Sequence, residues 1–169
     1  MAFAELLVIV GDRLYSLAYR VVRDISVAQD AVQEALLDAW RDLPSLRDPE
    51  RFDGWITRLV LRSCYDEVER QRRFAGRLRW LNPEEPSRSD SSLSMTDRDQ
   101  IERGLRSLSV EHRAVLALHF YVDLPLTEVA ERLEIPVGTA RSRLHYGIQA
   151  LRAAIEADER EAKARIGSA

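Results

Sequence analysis

Helical spacing of apolar residues is the feature that most constrains the fold of this chain. Its 169 residues are 46% hydrophobic and include only seven Gly and six Pro, so long segments run without a helix breaker. Intervals of three and four residues place apolar side chains on one face of an α-helix. The pattern leaves little room for strands and predicts an all-α protein. The first such stripe consists of Phe3, Leu6, Leu7, Val10, Leu14, Leu17, Ala18 and Val21.

Two further amphipathic segments predict a bundle of three helices. Ser26 and Gln29 have the spacing of a capping box, which predicts the start of the second helix. Pro44 ends that helix, and Asp48 before Pro49 predicts the start of the third, which continues through Arg73. The apolar positions are Val32, Ala35, Leu36, Ala39 and Trp40 in the second helix and Phe52, Trp55, Ile56, Leu59 and Val60 in the third.

A polar stretch divides the chain into two parts. Residues 82–96 contain five Ser and two Pro, a composition that cannot bury a core, and we expect a flexible linker there. Thr96 and Asp99 then indicate a helix start. The predicted units are a helical domain over 1–81, the linker 82–96, a second helical domain over 97–157 and a charged tail over 158–169 that frays.

Residues 125–146 have the pattern of a helix-turn-helix. The second helix carries Arg141, Arg143 and His145 with no acidic residue nearby, an arrangement suited to a DNA major groove. Glu134 lies in the turn, where many such units have Gly, and a positive φ is costly for any other residue. A plain helical hairpin with a solvated basic face is the alternative. The residues predicted to join the two helices are Val129, Leu133, Ile135, Ala140 and Leu144.

Charge is divided along the chain although the net charge is only −3. Residues 24–53 hold eight acids and three bases, 58–79 hold seven Arg and three acids, and 136–152 hold three Arg and no acid. Separate acidic and basic surfaces predict a protein partner together with a nucleic acid. A basic cluster with interleaved aromatic residues suits binding to a nucleic-acid strand. The alternative is an exposed helix end whose cations complement the helix dipole. The members of the cluster are Arg70, Arg72, Arg73, Phe74, Arg77, Arg79 and Trp80.

Other sequence features exclude several kinds of site. Cys64 is the single cysteine, which rules out an intramolecular disulfide and a Cys-rich metal site and is compatible with a reducing cytoplasm. The apolar segment Met1–Val10 contains Glu5 and ends at Gly11 and Asp12, so it predicts neither a signal peptide nor a membrane span. His112 and His119 are a weak metal signal. We therefore expect no catalytic residue, no metal and no cofactor.

Five strings of sequence, in order, resemble a bacterial RNA polymerase sigma factor of the extracytoplasmic-function (ECF) subfamily of the sigma-70 family. They are Leu14–Val22, Ala28–Trp40, Phe52–Arg58 with Asp66 and Arg70–Arg73 downstream, Leu108–Leu116 and Ile135–Leu144. The resemblance implies a cytoplasmic factor without enzymatic activity or a small-molecule substrate. It would bind core RNA polymerase, recognise the minus-ten and minus-thirty-five promoter elements, and be held inactive by an anti-sigma factor.

The same resemblance implies three sets of site residues. Those expected to bind the clamp helices of the polymerase are Asp30, Gln33, Glu34, Leu37, Asp38 and Trp40. Those expected to contact the minus-ten element are Arg47, Arg58, Arg62, Asp66, Arg70 and Arg73. Those expected to contact the minus-thirty-five element are Val137, Thr139, Arg141, Ser142, Arg143, His145 and Tyr146.

Two other functions fit parts of the sequence. A dimeric regulator that binds an operator by itself would also use a helix-turn-helix. A helical enzyme or a metal sensor would use His112 and His119.

Overall fold

The structure, a computed structural model, describes residues 3–81 and 97–167. Within them lie seven α-helices and no strand, which confirms the all-α prediction. The helices are α1 (Phe3–Val22), α2 (Ile25–Asp42), α3 (Phe52–Leu81), α4 (Asp97–Ser107), α5 (Val110–Leu116), α6 (Leu126–Arg132) and α7 (Val137–Gly167). In these residues no helix is long and apolar enough to cross a membrane.

Helices α1, α2 and α3 form an N-terminal module around a common core. The apolar stripe of α1 is buried through Val10, Leu14 and Leu17, and that of α3 through Ile56 and Val60. α2 packs against both neighbours. Small side chains at the centre of this contact let the three helices approach closely. These are Ala28, Ala31, Ala35 and Ala39, all fully buried.

Trp40 does not belong to this core, although the sequence placed it in the buried stripe of α2. Its side chain is 65% exposed, whereas Ala35 and Ala39 are completely buried. The buried face of α2 is narrow because alanines occupy the contact. A large ring at the end of the helix therefore lies outside the bundle.

The predicted start of α2 was wrong by one residue, and its cap is a different residue. Arg23 has a positive φ of 59°, which turns the chain sharply out of α1. Asp24 is consequently extended and caps the helix, accepting a hydrogen bond from Val27 N at 2.9 Å. Ser26 lies inside the helix and does not form the capping box. At α3 the predicted cap is correct, since Asp48 accepts from Glu50 N at 3.0 Å, but a 3₁₀ turn over Pro49–Arg51 precedes the α-helix.

Helices α4 to α7 form a C-terminal module. After α5 the chain continues in a π-helical turn over Ala117–Tyr121 before it reaches α6. α4 and α7 pack so closely at Gly104 that a Cβ there would lie 2.7 Å from Leu151 Cδ1. The buried core of the module includes Val115, Leu118, Val129 and Ala140.

α7 continues to Gly167, although the tail over 158–169 was expected to fray. This segment is rich in the good helix formers Ala, Glu, Arg and Lys. Glu156 and Arg160 also pair at 3.3 Å, one helical turn apart. The predicted linker 82–96, including Thr96, lies outside the described residues.

The two modules pack against each other, which the sequence analysis did not predict. α1 contacts α5 and the π-helical turn, and α3 contacts α5 and α6. Val110, Ala114, Val115 and Leu118 belong to the same buried cluster as the core of the N-terminal module. The described chain therefore has one continuous hydrophobic core.

Candidate nucleic-acid interface

The exposed face of α2 borders an apolar cleft. The six predicted partner-binding residues all lie on this face, and Leu37 (44% exposed) and Trp40 (65%) form one side of the cleft. The cleft has a volume of about 430 Å³. A solvent-exposed aromatic side chain beside an apolar cleft, with carboxylates at the edge, is typical of a protein-binding surface. The cleft is lined by Tyr15, Gln29, Val32, Gln33, Leu36, Leu37 and Trp40.

Tyr15 of α1 also lines this cleft, and the sequence analysis did not include it. It lies beside the buried stripe of α1 and is partly buried against the core. It therefore supplies one wall of the cleft from a neighbouring helix. Its position next to the apolar stripe was the one available signal, because sequence periodicity describes each helix alone and not the groove between two helices.

α6 and α7 form the predicted helix-turn-helix. Val129, Ala130 and Ala140 are buried between them, and the other residues predicted at this contact are partly buried. Ile135 N donates to Ala130 O at 3.0 Å and Glu134 N to Glu131 O at 3.3 Å. This is the Schellman pattern that ends a helix with one residue in the left-handed region. Glu134 is that residue, with φ 54°, as the sequence analysis anticipated.

The first turns of α7 present most of the predicted DNA-contacting residues to solvent. Val137, Arg141, Ser142, His145 and Tyr146 are exposed, and Thr139 is half-buried. Ser142 Oγ donates to Gly138 O at 3.0 Å, which fixes the hydroxyl on the helix surface. The resulting surface is basic and aromatic, and its side chains suit phosphate and base-edge contacts.

Arg143 faces a different direction from its neighbours. It is half-buried and lines a cleft of about 370 Å³ between α7 and α3. Tyr65 of α3 and Glu111 of α5 line the same cleft. Burial raises the pKa of Tyr65 to about 12, and the nearby Arg143 opposes part of that rise. The predicted minus-thirty-five set therefore occupies two sides of α7.

α3 carries the second basic surface. Arg62, Asp66 and Arg70 are exposed at intervals of four residues, so they lie along one face. Arg47 is exposed in the connection between α2 and α3, and Arg73 is exposed one turn further along α3.

Glutamates on α3 hold two of these cations. Arg70 lies 2.6 Å from Glu67, and Arg73 lies 3.2 Å from Glu69. Phe74 follows with 66% of its side chain exposed. The side chains of Arg79 and Trp80, which completed the predicted basic cluster, lie outside the described part of the chain.

Arg58 also differs from the rest of its predicted set. It is half-buried, and its guanidinium lies 3.8 Å from the carboxylate of Glu134 in the helix-turn-helix. The structure thus brings Arg58 of the minus-ten set and Arg143 of the minus-thirty-five set into the contact between the modules.

The two histidines are occupied by local hydrogen bonds. His112 Nδ1 lies 3.0 Å from Ser109 Oγ, and His119 Nδ1 lies 2.8 Å from Leu124 O. Within 3–81 and 97–167, no three His, Cys, Asp or Glu side chains are grouped so that they could hold a metal ion. The residues around the histidines give the metal-sensor hypothesis no support.

A basic helix-turn-helix, a second basic helix and an acidic helix beside an apolar cleft are typical of a helical DNA-binding protein that works with another protein. Sequence comparison gives the family. Sigma-70 region 2 matches residues 9–74, and sigma-70 region 4 matches residues 104–153. The ECF RNA polymerase sigma factor SigL of Mycobacterium tuberculosis is 34% identical over 146 residues, covering 85% of this chain and 82% of that protein. SigW of Bacillus subtilis is 28% identical over 163 residues, covering 89% and 87%.

The chain therefore belongs to the sigma-70 family, as an ECF RNA polymerase sigma factor. Such proteins are initiation factors without enzymatic activity, and this chain acts in promoter-specific transcription initiation through regions 2 and 4. The enzyme hypothesis and the independent operator-binding regulator are both overturned by this membership.

Solved structures show the same fold. The sigma factor RpoE of Bartonella quintana, crystallised with the anti-sigma factor NepR, aligns with a TM-score of 0.67 at 21% identity, covering 92% of this chain and 98% of that one. CnrH, in complex with the cytosolic domain of CnrY, aligns with a TM-score of 0.64 at 24% identity, covering 92% and 88%.

Proposed function

We propose that the acidic face of α2 binds the clamp helices of core RNA polymerase. The observation that carries this proposal is that Trp40 is exposed beside an apolar cleft, on the face of α2 that does not pack against the bundle. Leu37 and Trp40 supply the apolar centre of the contact. Four further residues surround it with carboxylates and an amide, which suits a basic partner: Asp30, Gln33, Glu34 and Asp38.

The two basic surfaces read the two promoter elements. The loop with Arg47 and one face of α3 bind and open the minus-ten element. The residues of that face are Arg58, Arg62, Asp66, Arg70 and Arg73. The exposed beginning of α7 enters the major groove at the minus-thirty-five element. The exposure of Arg62 and Arg70 on α3 and of Arg141 on α7, together with the matches to regions 2 and 4, supports this division.

The role as a sigma factor also suggests how the protein is regulated and where in the cell it works. Two structural relatives were solved in complex with another protein, and one of these partners is described as an anti-sigma factor. We propose that an anti-sigma factor also controls this chain. Because polymerase and promoter DNA are cytoplasmic, the protein works in the cytoplasm. Its working units are residues 1–81 and 97–157, joined by 82–96, and α7 extends the second unit into 158–169 as far as Gly167.

Reconstitution with core RNA polymerase tests the division of labour. Asp38→Arg should abolish co-purification with polymerase, whereas Arg141→Ala should leave it intact and weaken run-off transcription from a promoter selected with the wild-type holoenzyme. If both variants lose polymerase binding equally, the proposed division is wrong.

A further inference from the structure

The last third of α3 extends away from the helical bundle. Between positions 52 and 77, Glu67 is the last buried residue, and Val68 is half-buried. Every residue from 69 to 77 is exposed, and a Cβ built at Gly76 would meet nothing within 4 Å in the described chain beyond its own helix. This part of α3 therefore contributes little to the hydrophobic core, and its side chains are available to a partner. We call residues 70–77 the basic arm.

The basic arm has the composition of a surface that binds a polyanion. It contains four arginines and no acidic residue. Arg70, Arg73, Phe74 and Arg77 are three or four residues apart, so they share one face of the helix. Arg72 is directed elsewhere, because it lines the cleft between α3 and α7. The shared face is consequently cationic and carries one aromatic ring.

Phe74 is the member of this face that the fold does not explain. Its ring is 66% exposed, so it leaves apolar surface in water without filling the core. The ring lies beside cations whose positions along the helix are fixed by neighbouring carboxylates, since Arg70 pairs with Glu67 and Arg73 with Glu69. An apolar ring among fixed guanidinium groups fits a partner that offers negative charge and apolar surface together. The sugar-phosphate backbone of DNA offers both.

The basic arm continues the surface of α3 that is proposed to bind the minus-ten element. Arg62, Asp66 and Arg70 precede Phe74 at intervals of four residues, so the ring lies at the end of the same row. From Arg62 to Arg77 the helix rises by about 22 Å, which matches about six base pairs of B-DNA. The chain then passes through 82–96 to the module whose α7 is proposed to bind the minus-thirty-five element. We therefore expect the arm to lie toward the DNA between the two elements.

We propose that the basic arm binds the double-stranded spacer between the two promoter elements, with Arg77 on a backbone phosphate and Phe74 against deoxyribose rings. The proposal rests on the minus-ten role proposed above for α3 and extends that surface to DNA outside both elements. Phosphate and sugar contacts position a protein on the duplex without reading its sequence. Covering the Phe74 ring removes apolar surface from water. The arm thus strengthens the hold of the holoenzyme on a promoter whatever the sequence of its spacer.

Arg77→Ala and an uncharged spacer test the phosphate contact. The probe is a promoter fragment that the wild-type holoenzyme transcribes, made with ordinary linkages or with methylphosphonate linkages in the spacer next to the minus-ten element. Between about 50 and 200 mM salt, the wild-type holoenzyme should lose about 3.5-fold more affinity for the ordinary fragment than the Arg77→Ala holoenzyme, the effect of one phosphate contact. On the methylphosphonate fragment the two proteins should agree within about twofold. Arg106→Ala, at an exposed position of α4, is the matched control and should behave as wild type on both fragments.

Phe74→Ala tests the ring separately, because this substitution changes no charge. It should weaken binding of the ordinary fragment about tenfold and leave the salt dependence as in wild type. Ile9→Ala removes an apolar side chain that is 68% exposed on α1, and it should change neither quantity. Circular dichroism checks that each variant retains its helices.

Three outcomes overturn the proposal. In the first, Arg77→Ala and Phe74→Ala bind the ordinary fragment as tightly as their controls. In the second, either variant loses binding to core polymerase without DNA, which would assign the arm to a protein partner. In the third, the methylphosphonate fragment leaves the difference between wild type and Arg77→Ala unchanged. Loss of transcription in Arg62→Ala alongside unaffected arm variants would reject the spacer contact alone, whereas an unaffected Arg62→Ala would reject the proposed minus-ten role.

Discussion

At the scale of single residues, Glu134 sets the direction of the DNA-reading helix. Its left-handed backbone, with φ 54°, ends α6 and starts the turn into α7. The position requires a conformation that costs a non-glycine residue about 1–2 kcal/mol. The protein thus keeps a strained side chain at a turn, and that side chain faces Arg58.

Replacing Glu134 with glycine should remove the strain. Glycine adds unfolded-state entropy, so the expected net gain in the free energy of unfolding is about 0.5 kcal/mol. The control Glu131→Gly lies within α6 and should lose about 1 kcal/mol. Urea unfolding measures both changes, and equal losses in the two variants would contradict the assignment of strain to position 134.

Arg141 is exposed in the first turns of α7, on the surface proposed to contact DNA. Arg141→Ala should weaken promoter binding by the holoenzyme by about 1–3 kcal/mol if it reads a base. Arg152→Ala, on the same helix but outside the helix-turn-helix, is the matched control and should change affinity little. Filter binding at several salt concentrations compares them, and equal effects would show that only overall charge matters.

Cys64 gives a prediction about pH. Burial, aided by Glu67, raises the pKa of its thiol from 9.0 to about 12. A raised folded pKa means that the thiol favours folding below pH 9 and that this contribution is lost as pH rises toward 12. At pH 8 the native thiol should react with a disulfide reagent about a thousandfold more slowly than in urea. Fast reaction of the native protein would show that Cys64 is accessible.

Sequence predicts single residues well when local geometry determines them. Glu134 was found because a helix-turn-helix fixes the position of its turn, and Asp48 because Pro49 marks a helix start. Ser26 was misjudged because the left-handed Arg23 moved the cap to Asp24. A left-handed backbone conformation at an arginine cannot be predicted from the residue type.

At the scale of elements, α2 combines a narrow buried face with a broad exposed one. Fully buried alanines occupy the contact with the bundle, which leaves Leu37 and Trp40 outside it. Periodicity correctly predicted a helix here and on either side. It could not show that Trp40 is exposed, because the apolar stripe of a helix has the same spacing whether the bundle or a partner covers its edge.

The exposure of Trp40 separates stability from partner binding. Trp40→Ala should change the free energy of unfolding by less than about 1 kcal/mol, but should weaken polymerase binding at least about tenfold, as expected of a central aromatic. Ile25→Ala is the control, since Ile25 is 60% exposed at the other end of α2. Thermal melts and a binding titration with core polymerase distinguish the two effects, and equal weakening by both variants would exclude a role for the cleft.

At the scale of the whole molecule, the chain described over 3–81 and 97–167 is more unified than its sequence indicates. Helix periodicity and the polar stretch divide it into two helical units. The contact between those units combines a shared apolar core with polar contacts of Arg113, Arg23 and Glu102, which are separated in sequence and look like ordinary surface charges. Their pairing depends on the tertiary arrangement, which no local pattern encodes.

A shared core predicts shared unfolding. Leu118, from the C-terminal module, is fully buried in the cluster that includes α1. Leu118→Ala should lower the free energy of unfolding by about 2–5 kcal/mol and destabilise both modules together. Calorimetry should show one transition whose calorimetric and van't Hoff enthalpies agree. Two separate transitions in the wild-type protein would show that the modules unfold independently.

The length of α7 has a mechanical consequence. This helix runs 31 residues from Val137 to Gly167, and at 1.5 Å per residue it spans about 46 Å. Its first turns face the proposed DNA groove, so its far end stands several nanometres from the duplex. A fluorophore or affinity tag attached near Gly167 would lie at the far end of this long helix. It would report rotation of the first turns of α7 without contacting the promoter.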